Sequence, residues 1–179
     1  MALTATMYLF EVDLADSDRA LYQTLEIRAA LHPSETEDYL LTRVLAYCLE
    51  YRDGLAFSRG LSTPDEPALF ARDLTGAFQL WVEIGTPDAA RLHKAAKASP
   101  AVAVYCHKDA RHYAARMSGS KIHRQDEIAL YALDRTFLAQ VLRHLDRRMR
   151  FALTVTERHL YLSVAGANYD TVVERVTLG

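Results

Sequence analysis

Residues 78–106 read FQLWVEIGTPDAARLHKAAKASPAVAVYC, and this stretch decides the fold. Its opening segment predicts a strand in which Phe78, Leu80, Val82 and Ile84 take one face and Gln79, Trp81 and Glu83 the other. Thr86 and Pro87 then read as the N-cap and first residue of a helix that continues to residue 98. Residues 101–106, AVAVYC, form a second buried strand. Strand, helix and strand in such close succession predict a parallel pair joined by a right-handed crossover, hence an α/β fold.

The alternation continues outward. Toward the C-terminus come a helix near residues 109–117, a strand at 127–133, a helix over 134–145, and strands at 150–156, 159–164 and 171–178. Toward the N-terminus, residues 62–76 are polar, bear proline and predict the longest loop, with one helical turn at 68–72. A short strand over 55–59 precedes it, and Gly54 closes a helix that starts at a capping box of Ser34 with Glu37. Leu40, Leu41, Val44, Leu45 and Cys48 mark the buried face of that helix. Residues 5–13 and 22–30 predict an opening hairpin across the polar turn Asp16, Ser17, Asp18.

A chain of 179 residues, half of them apolar, can bury a core without disulfides or metal, and nothing in it reads as a linker, so one domain over 1–179 is expected. No run is long and apolar enough for a membrane span, and the start MALTATMYLFEVDL lacks the basic segment and cleavage site of a signal peptide. The expected location is therefore the cytoplasm, where Cys48 and Cys106 read as reduced core thiols. Net charge is −2, but residues 1–75 carry 13 acids against 6 bases and residues 76–179 carry 15 bases against 10 acids. Such a split permits a basic surface for a polyanion without marking the whole chain as nucleic-acid binding.

Several chemistries are excluded. Seven glycines include no dinucleotide or P-loop fingerprint, and no G-x-S-x-G elbow occurs. Cys106, His107, His112 and His123 are not spaced as a zinc site. Carboxylates in apolar settings remain. Glu83 is costly to bury unless a base, a metal ion or the strand end compensates it. Arg91 and Lys94 lie one turn apart on the following helix, over the C-terminal strand ends where open α/β sheets place their sites. The plain alternative is that Glu83 forms a salt bridge with Arg91 or Lys94 and does nothing else. A second acid beside it, Asp73 or Asp65, would make a site for a hard cation such as Mg²⁺. Glu35 at the start of the first long helix adds a third acid or, equally, serves capping and the helix dipole, and Arg43 sits unusually on the apolar side of that helix, as a partner for an acid or as a snorkelling arginine. The basic run Arg143, Arg147, Arg148, Arg150 offers a second binding surface, or a solvated helix end.

HPSETEDYLLTRVLAY followed by RGL, DEP, DLTG, LWVEIG and P-D-x-x-R-x-x-K-A resembles the YaeQ family over nearly the whole chain. The resemblance implies a variant of the PD-(D/E)XK nuclease fold. That fold is a restriction-endonuclease-like core with a central mixed sheet flanked by helices, here with an N-terminal hairpin and extra C-terminal strands. It further implies Mg²⁺-dependent phosphodiester hydrolysis on nucleic acid, with catalytic roles for Glu35, Asp73, Glu83 and Lys94. Metal contacts would come from Glu83 with Asp73 or Asp65, and nucleic-acid contacts from Arg91, Lys97 and Arg43. The departure is Gly85, which stands where the motif wants lysine; Lys94, with Lys97 as second choice, would supply the charge from the adjacent helix. Without a correctly placed base, the alternative is an inactive nuclease-fold protein that binds nucleic acid or a protein partner.

Overall fold

The computed structural model describes residues 4–58 and 65–179, which sort into two compact units, each with its own sheet. The first holds the chain up to Leu49 together with Leu133–Glu174; the second holds Glu50–Ala132 with Arg175–Gly179. The expectation of one central sheet is thus corrected to two mixed sheets flanked by helices. Two kinds of strand account for this. Strands of the first unit alternate buried and exposed residues and can leave one face wet, whereas the central strands of the second are apolar on both faces.

In the first unit β1 (Thr6–Asp16) and β2 (Leu21–Leu31) form the predicted hairpin, longer overall than expected. β1 also pairs in parallel with β8 (Arg148–Thr156), and β9 (His159–Val164) and β10 (Ala167–Val172) complete the order β10-β9-β8-β1-β2. Phe10, Val12, Ile27, Phe151, Leu153 and Leu162 line the buried face. Two helices, α1 (Glu37–Leu49) and α4 (Arg135–Leu142), pack on each other, α1 also against β2 and α4 against β10. All five apolar residues predicted for the α1 face are fully buried. The cap differs from expectation. Thr36 accepts from the Tyr39 amide, so α1 starts two residues later than a Ser34 cap would allow, and Ser34 instead bonds His32.

In the second unit the order is β11-β7-β6-β5-β4-β3. β5 (Phe78–Ile84), β6 (Val102–Cys106) and β7 (Ala129–Ala132) run parallel, with α2 (Ala89–Ala98) crossing between the first two and α3 (Ala110–Met117) between the next. β3 (Ala56–Phe57) and β4 (Leu69–Arg72) add antiparallel strands beyond β5, and β11 (Glu174–Val176) flanks β7. The helical turn expected at 68–72 is therefore a strand: Leu69 and Ala71 alternate inward with Phe70 and Arg72 and pair with β5. The strand predicted over 55–59 is shorter, and Arg59 and residues 60–64, which include the start of the predicted loop, lie outside the described residues. The α2 cap is Asp88, two residues beyond Thr86, with its Oδ1 accepting from the Arg91 amide at 2.8 Å.

Candidate functional site

β5 is buried from Leu80 to Ile84, so Trp81 and Glu83 share a face that α2 and α3 cover. Trp81 is 2 % exposed, packs on Phe78 with ring centroids 5.0 Å apart, and sits among Leu92, Ala95, Val104 and Tyr113. A buried indole N–H needs an acceptor. Trp81 Nε1 finds it at Glu83 Oε1, 2.7 Å away, on the next residue of the same face.

The same oxygen accepts from Arg91 Nε at 2.7 Å, and the Arg91 guanidinium also donates to the Glu66 carbonyl at 2.8 Å. Asp88 fixes the backbone of Arg91 in the first turn of α2 while Glu83 fixes its side chain. Glu83 is 5 % exposed, and burial pushes its carboxyl up from the usual glutamate range. The Trp81 hydrogen bond and the charge of Arg91 oppose that push, and the charge of Asp88 adds to it.

One turn further along α2, Lys94 Nζ donates to Asp65 Oδ1, and both side chains are largely exposed. That hydrogen bond and the Lys94 charge hold the Asp65 carboxyl below the usual range, with a further contribution from the charge of Arg91. Two acids and two bases thus alternate around the start of α2. Asp65 and Glu83 both feel Arg91, and this is the group of predicted residues that the structure brings together.

The others fall elsewhere. Asp73 closes the β4–β5 hairpin, its Oδ1 accepting from the Thr75 amide and hydroxyl and the Ala77 amide, and its Oδ2 from Gln79. These bonds, the Thr75 hydroxyl first, hold its carboxyl below the usual range. Ala77 and Glu83 are separated by most of β5, about 20 Å at strand rise, so Asp73 does not join Glu83. Glu35 lies in the first unit, where its carboxylate accepts from the His32 amide at 2.8 Å and closes the turn before α1. Arg43 is 7 % exposed, donates to the Ala30 carbonyl and lies over Tyr39, a buried tie rather than a surface cation. Lys97 is exposed in the last turn of α2. Of the basic run, Arg150 is paired with Asp13 and Glu11, and Arg148 and Arg150 belong to β8, not to a helix end.

Gly85 has φ +91°, and a Cβ there would meet His107 Cε1 at 3.7 Å. His107, 6 % exposed just past the end of β6, thus stands beside Gly85, the position where the nuclease resemblance expects lysine. Trp81 and Asp88 were missed as contributors. The signals were present: a W-x-E pair shares one strand face, and D-x-x-R opens a helix. Among the described residues, no three His, Cys, Asp or Glu side chains are grouped so as to hold a metal ion.

Fold and site define an α/β protein with mixed sheets flanked by helices, carrying a buried carboxylate–guanidinium pair at the C-terminal end of a parallel strand. The chain belongs to the YaeQ family, whose family model (YaeQ protein) matches residues 1–173. It is 33% identical over 171 residues to the uncharacterized protein YaeQ of Salmonella typhi, covering 95% of this chain and 94% of that protein. The Escherichia coli (strain K12) YaeQ is 34% identical over 165 residues, 91% of each chain. The crystal structure of YaeQ from Xanthomonas axonopodis pv. citri aligns with a TM-score of 0.87 at 30% identity, over 98% of this chain and 100% of that one. The Pseudomonas syringae YaeQ structure gives 0.86 at 28% identity, over 97% and 96%.

Proposed function

We propose that the chain engages the phosphate backbone of a nucleic acid at the Asp65–Glu83–Arg91–Lys94 cluster, as a nuclease-fold protein that binds rather than cuts. The observation that carries this reading is the contrast between the two ion pairs. Glu83 is buried and committed to Arg91 and Trp81, and breaking such a pair costs several kcal/mol. Lys94 is held by an exposed aspartate, and exposed pairs contribute little. An incoming phosphate can therefore exchange with Asp65 on Lys94, with Lys97 one turn further on and Arg91 held in place by Glu83. The nuclease-like fold that the family resemblance implies and the basic balance of residues 76–179 both favour a nucleic acid as the polyanion.

A second reading, Mg²⁺-dependent phosphodiester hydrolysis, is favoured by one observation: Glu83 and Asp65 pair with bases one turn apart on α2, and the charge of Arg91 acts on both. A divalent ion would need both carboxylates released from their bases and would supply Lewis-acid activation of the phosphoryl oxygen.

The test uses fluorescent single- and double-stranded DNA and RNA oligonucleotides over a salt series. Binding that weakens steeply with salt, with a shallower slope and lower affinity in Lys94→Glu, is expected. No binding at low salt overturns the reading and leaves a protein partner. Mn²⁺-dependent cleavage lost in both Asp65→Asn and Glu83→Gln replaces it with the second.

A further inference from the structure

Sheets end in edges, and the two edges of the second sheet are short: β3 has two residues and β11 three. β2, at the edge of the first sheet, has 11. It contains no proline or glycine, its register with β1 runs without a bulge, and its inward residues Leu25, Ile27 and Ala29 carry no charge. Natural proteins guard an exposed edge with prolines, bulges, inward charges or charged edge side chains, and of these β2 carries only the last, in Glu26 and Arg28, so it reads as a strand that a partner of matching charge can pair.

The direction of its outer hydrogen-bonding groups follows from two bonds. Leu9 N donates to Arg147 O on the β8 side, so odd residues of β1 face β8 and even ones face β2. Their partners in β2 are the odd residues, as in Phe10 with Ile27 and Val12 with Leu25. The even residues of β2 therefore point their N–H and C=O groups outward. Arg43 donating to the Ala30 carbonyl agrees with this. Tyr22, Thr24, Glu26 and Arg28 are all exposed, and among the described residues their outward backbone groups have no partner.

We propose that β2 is the interface of a twofold dimer, pairing antiparallel with β2 of a second copy about an axis at Ile27, so that the sheet becomes ten-stranded and continuous. The charge complementarity of the strand with itself favours a second copy as the occupant. Outward groups meet outward groups only when the twofold axis lies at a residue, so the register is limited to a few choices. An axis at Glu26 sets glutamate against glutamate, and one at Arg28 sets arginine against arginine. The axis at Ile27 sets Glu26 opposite Arg28 of the second copy, twice by symmetry, and Ile27 against itself on the buried face.

The outer face of the sheet asks for that arrangement. Across the strands, Arg150 faces Glu11 and Glu11 faces Glu26, so the row ends on two like charges. Arg150 is 3.5 Å from Glu11, while Glu26 has its own Arg28 at 3.4 Å, with side chains 65% and 73% exposed in Glu26 and Arg28. Arg28 of a second copy would complete the row as plus, minus, minus, plus, and opposite charges directly across a strand pair are favourable.

Sedimentation velocity on the full chain over a concentration series is expected to show a monomer–dimer equilibrium. Glu26→Arg and Arg28→Glu should each weaken the dimer by about 30-fold, because each makes two like-charge pairs. The double variant Glu26→Arg/Arg28→Glu should restore it, which no merely misfolded single variant would explain. Glu26→Pro removes only an outward N–H and should abolish the dimer while circular dichroism stays native. A monomer at every concentration, or a dimer indifferent to Glu26→Pro and to both reversals, overturns the proposal.

Discussion

Arg91→Ala leaves the Glu83 carboxylate at 5 % exposure without its cation, and the surroundings of that carboxylate set the penalty. Breaking a buried pair by removing one partner costs about 3–5 kcal/mol. Here the Arg91 side chain is 31% exposed, and Trp81 Nε1 remains on the same carboxylate oxygen, so about 2–3 kcal/mol is expected. Glu83→Gln keeps an acceptor for both Trp81 and Arg91 and should cost about 1 kcal/mol. The double variant should be less destabilised than the sum by at least about 1 kcal/mol, since the stranded charge is gone. The deficit also has a pH signature. Folded Glu83 holds its proton to higher pH than the unfolded chain does, so its contribution is fully present below the ordinary glutamate pKa and is lost as pH rises through the raised folded value. Arg91 is one of the groups that hold that value down, so its removal extends the losing window upward. Urea unfolding near about pH 5 and about pH 8 should show a larger Arg91→Ala deficit at the higher pH. A deficit equal at both, or larger near pH 5, would refute the pairing as the source of the effect.

Asp73→Ala, which frees the Thr75, Ala77 and Gln79 donors of the hairpin, should lower Tm by about 2–4 °C and leave oligonucleotide affinity unchanged. A loss of affinity without loss of Tm would return Asp73 to the site. Gly85→Ala should cost about 1–2 kcal/mol in urea unfolding because of the +91° φ, although 3.7 Å to His107 leaves room for the methyl group. Gly85→Lys should then destabilise the fold in place of restoring a motif lysine, and wild-type stability in either variant would show the strain argument to be mistaken.

The βαβ unit was legible because its two periods are unmixed: continuous apolar strands flank a helix with a plain polar face, and both strands and α2 lie where expected. The division into two sheets was less so. RMRFALTVT alternates while AVAVYC does not, but strand pairing is decided by faces that meet only in three dimensions, as β1 does with β8 across most of the chain. Caps slipped by two residues at both α1 and α2 because Ser34, Thr36, Thr86 and Asp88 are all competent caps. In the site, the salt bridge between Glu83 and Arg91 was open to sequence as the plain alternative. The uses of Asp73 and Glu35 were not, since a turn carboxylate and a site carboxylate read alike until their donors are seen.

Gly85 then acquires a different meaning. A lysine there would continue the strand and present its amine beside Glu83. A glycine with φ +91° ends the strand, and Pro87 and Asp88 start α2 within a few residues. The early start puts Arg91 in the first turn, with its amide on Asp88 and its guanidinium on Glu83. The charge that answers Glu83 therefore comes from a helix built by the turn, as a planar guanidinium fork in place of an amine. Such a fork can hold a phosphate through paired hydrogen bonds, which supports the proposed reading of a site that binds in place of cutting.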